Sequence, residues 1–141
     1  MNIEIVVPGI PEPKGSHHIQ RRGNASWLLA GGNAKAHERL KDWEARVRTY
    51  AAATMRALGA SEPLAGPIAL DVTFYLPRPH SAAKRLFPAV KPDLSKLVRG
   101  VEDPLSDLVY DDDARIVSES SRKVYADPEN PPGASIRVWT V

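Results

Sequence analysis

The sequence contains no cysteine, which excludes a disulfide framework and any metal site built on thiolates. A bound metal would therefore have oxygen or imidazole ligands. The chain also has no apolar run of membrane-spanning length. Its first ten residues include Glu4 and Pro8 and lack the basic start and long apolar stretch of a secretory signal. We therefore expect a cytoplasmic protein with no membrane segment.

The chain has no internal repeat and no unusual composition. Hydrophobic residues make up 43% of its 141 residues and charged residues 26%, as in ordinary globular proteins. This length fits one compact domain with one core. We therefore predict a single domain over residues 1–141 and exclude a fibrous or wholly disordered chain.

Charge is unevenly distributed, although the net value is only +2. The segment 13–36 carries four cations and no acid, and the segment 78–99 carries six cations against a single acid. The segment 100–113 then carries six acids and no Lys or Arg. A solvated face explains any one such run. A basic surface adjoining an acidic cluster, however, favours a protein that binds a polyanion and holds a divalent cation against it.

Hydrophobic periodicity predicts the secondary structure. Alternation predicts strands over residues 2–7 and 68–76, and apolar spacing predicts helices over 33–58 and from Asp93 onward. Weaker patterns predict strands over 114–125 and 135–141. This order indicates an α+β (mixed α/β) domain, with one small mixed sheet of about four strands packed with two main helices. Prolines and glycines disfavour any continuous helix or strand over 8–32, which we interpret as a long basic loop.

Three features of the second half could serve catalysis together. Asp93 begins a helix, Lys96 and Arg99 follow within two turns, and an aspartate triplet that includes Asp111 comes after a short apolar segment. Singly, each has a simpler explanation, namely a helix cap, surface charges and a solvated turn. Together they offer carboxylates for Mg²⁺ and cations for the developing charge of a phosphate, the groups that phosphodiester hydrolysis needs.

The same region matches a known family pattern. The matching stretches are Lys91-Pro92-Asp93-Leu94-Ser95-Lys96-Leu97-Val98-Arg99, Glu102-Asp103-Pro104-Leu105 and Tyr110-Asp111-Asp112-Asp113-Ala114-Arg115-Ile116-Val117. They resemble the central motif of the RusA-like Holliday junction resolvases, which has two aspartates two residues apart, a basic residue four further on, and a later Asp-Asp pair. Residues 11–15 and 123–125 resemble the family's basic N-terminal loop and the strand after the motif.

This resemblance implies a Mg²⁺-dependent endonuclease, with Mn²⁺ as a substitute. Such an enzyme resolves four-way (Holliday) DNA junctions by paired phosphodiester hydrolysis, in DNA recombination and repair. The resemblance also implies a homodimer, because two identical subunits match the two scissile phosphates of a two-fold junction. A bacterial or phage origin would follow.

The resemblance also assigns roles residue by residue. Asp93 matches the first metal-binding aspartate and Asp113 the aspartate of the later pair, with Asp112 its neighbour. Arg99 takes the place of the catalytic lysine. It can bind phosphate but does not readily donate a proton. Lys96 is expected to pair with the scissile phosphate.

Ser95 departs from the family pattern, because it stands where the second aspartate belongs. Three outcomes follow: a carboxylate from the triplet, Asp111 or Asp112, joins the metal site; Ser95 acts through a water molecule; or the chain binds junctions without cutting them. We expect the first, because Asp111 adds a carboxylate. The third leaves a catalytically weak or inactive junction-binding protein as the alternative.

Five further cations are expected to contact the DNA backbone without reading sequence. They are Lys14, Arg21, Arg22, Lys84 and Arg85. His17 and His18 are interpreted as surface histidines rather than phosphate or metal ligands. Trp27 either stacks on an unpaired base or anchors the loop to the core.

The dimer interface and the functional class leave alternatives open. The apolar last strand around Ile136, Val138 and Trp139 is a candidate interface. Besides the nuclease and the non-cleaving junction binder, a third functional class remains: a structural or partner-binding α+β domain whose surface charges have no role in binding DNA. It would show no preference for branched over linear DNA.

Overall fold

The computed structural model describes residues 1–15, 19–22, 25–28 and 32–141, with side chains described for 1–15 and 34–141. The strands are β1 (Asn2–Pro8), β2 (Ile19–Arg22), β3 (Ala25–Leu28), β4 (Ile68–Leu76), β5 (Ile116–Tyr125) and β6 (Gly133–Thr140). The helices are α1 (Gly32–Ala57) and α2 (Leu94–Leu105), with single 3₁₀ turns at His80–Ala82 and Asp113–Arg115.

Four strands form one mixed sheet in the order β1-β6-β4-β5. β6 pairs antiparallel with both β1 and β4, whereas β4 and β5 are parallel. The parallel pair requires a crossover between β4 and β5, and this crossover contains α2. The structure therefore confirms the α+β prediction of a four-stranded mixed sheet with two main helices.

The core lies between one face of the sheet and the two helices. On β1, Ile3, Ile5 and Val7 are fully buried while the residues between them are exposed, as the alternation predicts. On α1, Trp43 and Val47 are buried one helical turn apart. Each such large apolar side chain contributes about 1.5–3 kcal/mol by leaving water. Neither α1 nor α2, nor any other helix in the described ranges, is both long and apolar enough to cross a bilayer.

The position of β6 excludes two residues of the predicted dimer interface. β6 lies inside the sheet with a partner strand on each side. Ile136 and Val138 are completely buried in the core. Their apolar character therefore serves the packing of the sheet on the helices, and they are not available for contact with a second subunit.

The prediction that residues 8–32 contain no strand is wrong. β2 and β3 form an antiparallel hairpin in which Ile19 pairs with Leu28 and Arg22 with Ala25. The Gly-Asn dipeptide at 23–24 is a hairpin-turn signal that outweighs the general glycine and proline content. His17 and His18 lie outside the described residues, as do the side chains of Arg21, Arg22 and Trp27.

The start and end of α2 follow the sequence signals. Asp93 immediately precedes the helix in an extended conformation, and Pro104 lies one residue before the last helical residue, Leu105. A proline here removes a backbone donor and clashes with the carbonyl four residues earlier. Because α2 ends at Leu105, directly after Pro104, the prediction that this proline ends the helix is confirmed.

Substitution of Gly100 tests how closely the segment 11–15 crosses α2. A Cβ at Gly100 would lie 2.7 Å from the backbone oxygen of Glu12, and the Lys14 amide donates to the carbonyl of Lys96 at 3.0 Å. Alanine normally stabilises a helix interior by about 1 kcal/mol relative to glycine. We instead expect Gly100→Ala to lower the free energy of unfolding by about 1–3 kcal/mol, as overpacking does, measured by urea denaturation.

Gly15→Ala is the matched control. Among the described residues, no heavy atom lies within 4 Å of a Cβ built at Gly15, so we expect a change within about 0.5 kcal/mol. A stabilised Gly100→Ala protein would contradict the close crossing.

Candidate active site

The edge strand β5 presents polar residues toward the side of the sheet that elsewhere forms the core. Glu119, Ser121 and Lys123 lie opposite three residues of β4 in the parallel register. Those three are Leu70, Val72 and Phe74, all buried. Side chains at paired positions share a face of the sheet, so the core side of the sheet becomes polar at this edge.

One face of α2 lies over this polar edge. Ser95, Arg99 and Glu102 stand at positions i, i+4 and i+7, which places them on one side of the helix. With Glu119 and Ser121 of β5 they line a cavity of about 340 Å³. The predicted phosphate-binding residue Arg99 and the departure at Ser95 therefore belong to the same cavity.

The Glu102 carboxyl group lies at the centre of a cluster of acids. Its burial, a hydrogen bond with Glu119, and the charges of Glu119 and Asp113 raise its pKa to about 8, against the opposing effect of Arg99. Carboxyl groups this close cannot all ionise without compensation. Near neutral pH Glu102 is therefore held largely protonated and bonded to Glu119.

Tyr110 connects the cluster to the core. The fully buried Tyr110 donates its hydroxyl proton to the backbone oxygen of Glu102 at 2.9 Å. Burial and the charges of Asp113 and Glu102 raise the pKa of Tyr110, so it remains a hydrogen-bond donor. The Oδ1 atom of Asp113 is buried and has no hydrogen-bond partner among the described residues. A buried acceptor without a partner is costly, and a bound cation would relieve that cost.

The other aspartates of the triplet point elsewhere. Asp111 is exposed and pairs with Arg115 at 3.7 Å. Asp112 is exposed and accepts a hydrogen bond from the amide of Ala114 at 3.1 Å, which caps the short 3₁₀ turn. Of the triplet, the structure places only Asp113 next to Glu102.

Asp93 lines a different cavity. It pairs with Lys96 at 3.8 Å, and both line a larger, mainly apolar cavity of about 650 Å³. Asp93 and Glu102 are nine residues apart, which corresponds to about 13 Å along a helix. Within the described ranges, no three His, Cys, Asp or Glu side chains stand in an arrangement that could hold a metal ion by themselves.

Glu102 and Glu119 were not predicted as site residues from the sequence. The helical spacing of Ser95, Arg99 and Glu102 was a signal for the first. Glu119 had no comparable signal, because its place depends on which strand β5 pairs with and in which register. Tyr110 was part of the motif but received no role.

Several cations serve as internal supports. Lys123 donates to the carbonyl oxygens of Val90 at 2.6 Å and Pro92 at 2.8 Å, which holds the chain just before α2. Lys14, predicted to contact DNA, pairs with Asp103. Its charge is therefore already compensated within the protein.

The raised pKa of Glu102 predicts a pH-dependent stability. The folded protein holds an extra proton between the ordinary pKa of 4.5 and about 8, so its stability falls as the pH rises through that interval. Glu102→Gln mimics the protonated form at every pH. We expect the variant to be more stable than the wild type at about pH 8 and to lose this part of the slope, measured by urea denaturation across the interval in the absence of divalent cations.

Asp112→Asn removes an exposed charge and is the control. An unchanged pH slope in Glu102→Gln would show that the carboxyl group ionises normally.

Comparison with known proteins identifies the family of this chain. The family model described as endodeoxyribonuclease RusA matches residues 8–138, nearly the whole chain. The chain is also 29% identical over 106 residues to the uncharacterized protein YqaN of Bacillus subtilis (strain 168), a match that covers 67% of this chain and 75% of YqaN. Because the family match covers nearly the whole chain, we conclude that this chain belongs to the RusA family of endodeoxyribonucleases.

Proposed function

We propose that this chain is a Mg²⁺-dependent endonuclease that nicks four-way DNA junctions. The observation that carries the proposal is the position of Arg99 beside the carboxyl groups of Glu102, Asp113 and Glu119. Carboxylates suit a divalent cation, and a guanidinium suits a phosphate. Their juxtaposition in a RusA-family chain supports phosphodiester hydrolysis on branched DNA.

The residues around Asp113 fit a divalent cation. Among the described residues, Asp113 has a buried oxygen without a partner. Glu102 keeps its proton because burial and the neighbouring acids oppose its ionisation, and a cation placed there would favour the ionised form. Mg²⁺ typically uses one or two protein carboxylates together with water and substrate phosphate, so a complete protein cage is unnecessary. We propose that Glu102 and Glu119 supply, beside Asp113, the carboxylate that the family has at position 95.

The remaining groups have distinct roles in this proposal. A bound Mg²⁺ would activate water and neutralise charge on the phosphate. Arg99 holds the scissile phosphate and stabilises its developing charge, without donating a proton. Tyr110 keeps the backbone of Glu102 in place through its hydrogen bond. Asp93 and Lys96, at the start of the same helix, are proposed to contact the substrate from the neighbouring cavity.

A homodimer is part of the proposal. A four-way junction has two-fold symmetry, and two identical subunits would present two sites to two equivalent strands. Paired nicking then follows from the assembly, while each subunit contributes its own Arg99 and Asp113.

Ser95 supports one alternative function. It contributes a hydroxyl group to the cavity where a carboxylate would bind a cation more strongly. A chain that failed to recruit Mg²⁺ would still bind junctions through its cations. The non-cleaving junction-binding protein is therefore the second candidate.

Two double variants that each replace two carboxyl groups by amides locate the metal site. We expect Glu102→Gln with Glu119→Gln to lower Mg²⁺ affinity by at least about tenfold, because it removes carboxylate ligands, and to suppress nicking of a labelled four-way junction. Asp111→Asn with Asp112→Asn should leave both unchanged, since these side chains point away from the cavity. Isothermal titration with Mg²⁺ and a gel assay in Mg²⁺ and Mn²⁺ measure the two quantities.

If Asp111→Asn with Asp112→Asn lowered the Mg²⁺ affinity and Glu102→Gln with Glu119→Gln did not, the metal site would lie at the aspartate triplet. Wild-type protein that binds the junction but nicks it in neither metal would establish the alternative function. Equal binding of branched and linear duplex would contradict both.

Salt dependence separates exposed cations from compensated ones. Lys84 is exposed and has no ion pair among the described residues, whereas Lys14 pairs with Asp103. We expect Lys84→Ala to weaken junction binding and to reduce the slope of log K against log salt by about 1, as loss of one phosphate contact does. Lys14→Ala should leave the slope unchanged. A reduced slope in Lys14→Ala would show that the ion pair with Asp103 opens to bind DNA.

A further inference from the structure

The connector between β4 and α2 exposes two large apolar side chains side by side. Leu86 is 82% exposed and Phe87 64%, and Leu86 is the most exposed large apolar residue in the described part of the chain. Exposure of adjacent large apolar groups contributes nothing to the core and often marks a binding surface. The exposed pair is therefore a candidate binding surface.

The connector is braced at its base by two arginines. Arg78 donates to the carbonyl oxygens of Ala82 and Arg85, and its guanidinium lies 4.1 Å from the centre of the Tyr125 ring. Arg85 donates to the Tyr125 hydroxyl at 2.9 Å. These contacts tie the connector to the end of β5, so the exposed pair rests on a supported base.

The residues after the pair are also held. Pro88 is buried, and the Ala89 amide donates to the Phe87 carbonyl at 2.8 Å, which closes a tight turn. Lys123 holds the Val90 carbonyl at 2.6 Å. Leu86 and Phe87 are therefore presented on a turn whose two ends are bonded to β5.

The charges around the pair favour a nucleic acid over a second copy of the chain. Residues 78–91 include no acid, and Lys84 and Lys91 are exposed without an ion pair among the described residues. In a two-fold contact between copies, this segment would face its own cations, and like charges brought together in that way destabilise a contact. A polyanion would meet them favourably while its bases met the apolar pair.

We infer that Leu86 and Phe87 form a wedge that enters DNA at the branch point and separates stacked bases. Leu and Phe are side chains that DNA-bending proteins insert between base steps, and the cost of unstacking is least where pairing is already interrupted. Phe87 lies six residues before Asp93, a distance of at most about 20 Å, and Asp93 immediately precedes the helix that carries Arg99 and Glu102 of the proposed site. The wedge would thus fix the branch point relative to the active site. This inference rests on the proposed function.

The fluorescence of a base analogue measures the unstacking of bases that the wedge would cause. We would place 2-aminopurine at the branch point of a four-way junction, or within an arm as a reference, and measure its fluorescence at saturating protein in Ca²⁺, which keeps the strands intact. Wild-type protein should raise the signal at the branch point only. Leu86→Ala with Phe87→Ala should lose most of this rise and about tenfold of its preference for junction over linear duplex.

Val6→Ala with Leu58→Ala is the matched control, because both side chains are exposed and apolar but lie outside the connector. It should behave as the wild type. A full fluorescence rise in the Leu86→Ala, Phe87→Ala protein would overturn the wedge while leaving the proposed function intact. If analytical ultracentrifugation showed a dimer for the wild type and a monomer for the Leu86→Ala, Phe87→Ala protein, the pair would form a subunit contact and the wedge would be overturned. Wild-type protein that never saturates the junction would contradict the proposed function itself, and the wedge with it.

Discussion

The packing of α2 across the edge of the sheet is the constraint on which the site depends. One stripe of α2, including Leu97 and Val101, is buried in the core. Another stripe, with Arg99 and Glu102, faces β5. β5 is an edge strand whose residues Glu119 and Ser121 are polar at positions paired with buried residues of β4, so the apolar packing does not continue beneath this part of the helix. The cavity forms where polar residues replace apolar ones on β5, and Arg99, Glu102 and Glu119 line it.

The cluster in that cavity is electrostatically costly. Glu102, Glu119 and Asp113 lie close together, and the positive charge of Arg99 offsets only part of their repulsion. Isolated from a ligand, such an arrangement reduces stability, which natural proteins tolerate where function requires it. The well-packed sheet and the buried Tyr110 hold these groups in position against their repulsion. The same repulsion would favour a cation.

The basic residues divide into two groups that composition alone does not distinguish. Arg78, Arg85 and Lys123 donate to backbone or tyrosine oxygens and hold the connector before α2. Lys84 and Lys91 are exposed and have no such partners among the described residues. Rigid support beneath exposed charge lowers the entropy that binding would otherwise cost. The connector before α2 therefore presents a rigid surface as well as a charged one.

The sequence by itself determined the two main helices, the four strands of the mixed sheet and the family. Strict alternation from Ile68 to Leu76, and apolar spacing in the two helices, are local patterns that follow from the periods of strand and helix. The motif around Asp93, Arg99 and Asp113 predicted the family, and the match over residues 8–138 confirmed it. Only the tertiary structure placed Glu119 beside Glu102 and buried Ile136 within the sheet.

Those placements depend on which strands pair and in what register, and no local period specifies pairings between distant segments. For the same reason the three consecutive aspartates looked alike in sequence. A single 3₁₀ turn gives them three different surroundings, because successive side chains in a tight turn point in different directions. Only the fold could distinguish Asp113, which lies beside Glu102, from the two aspartates that face water.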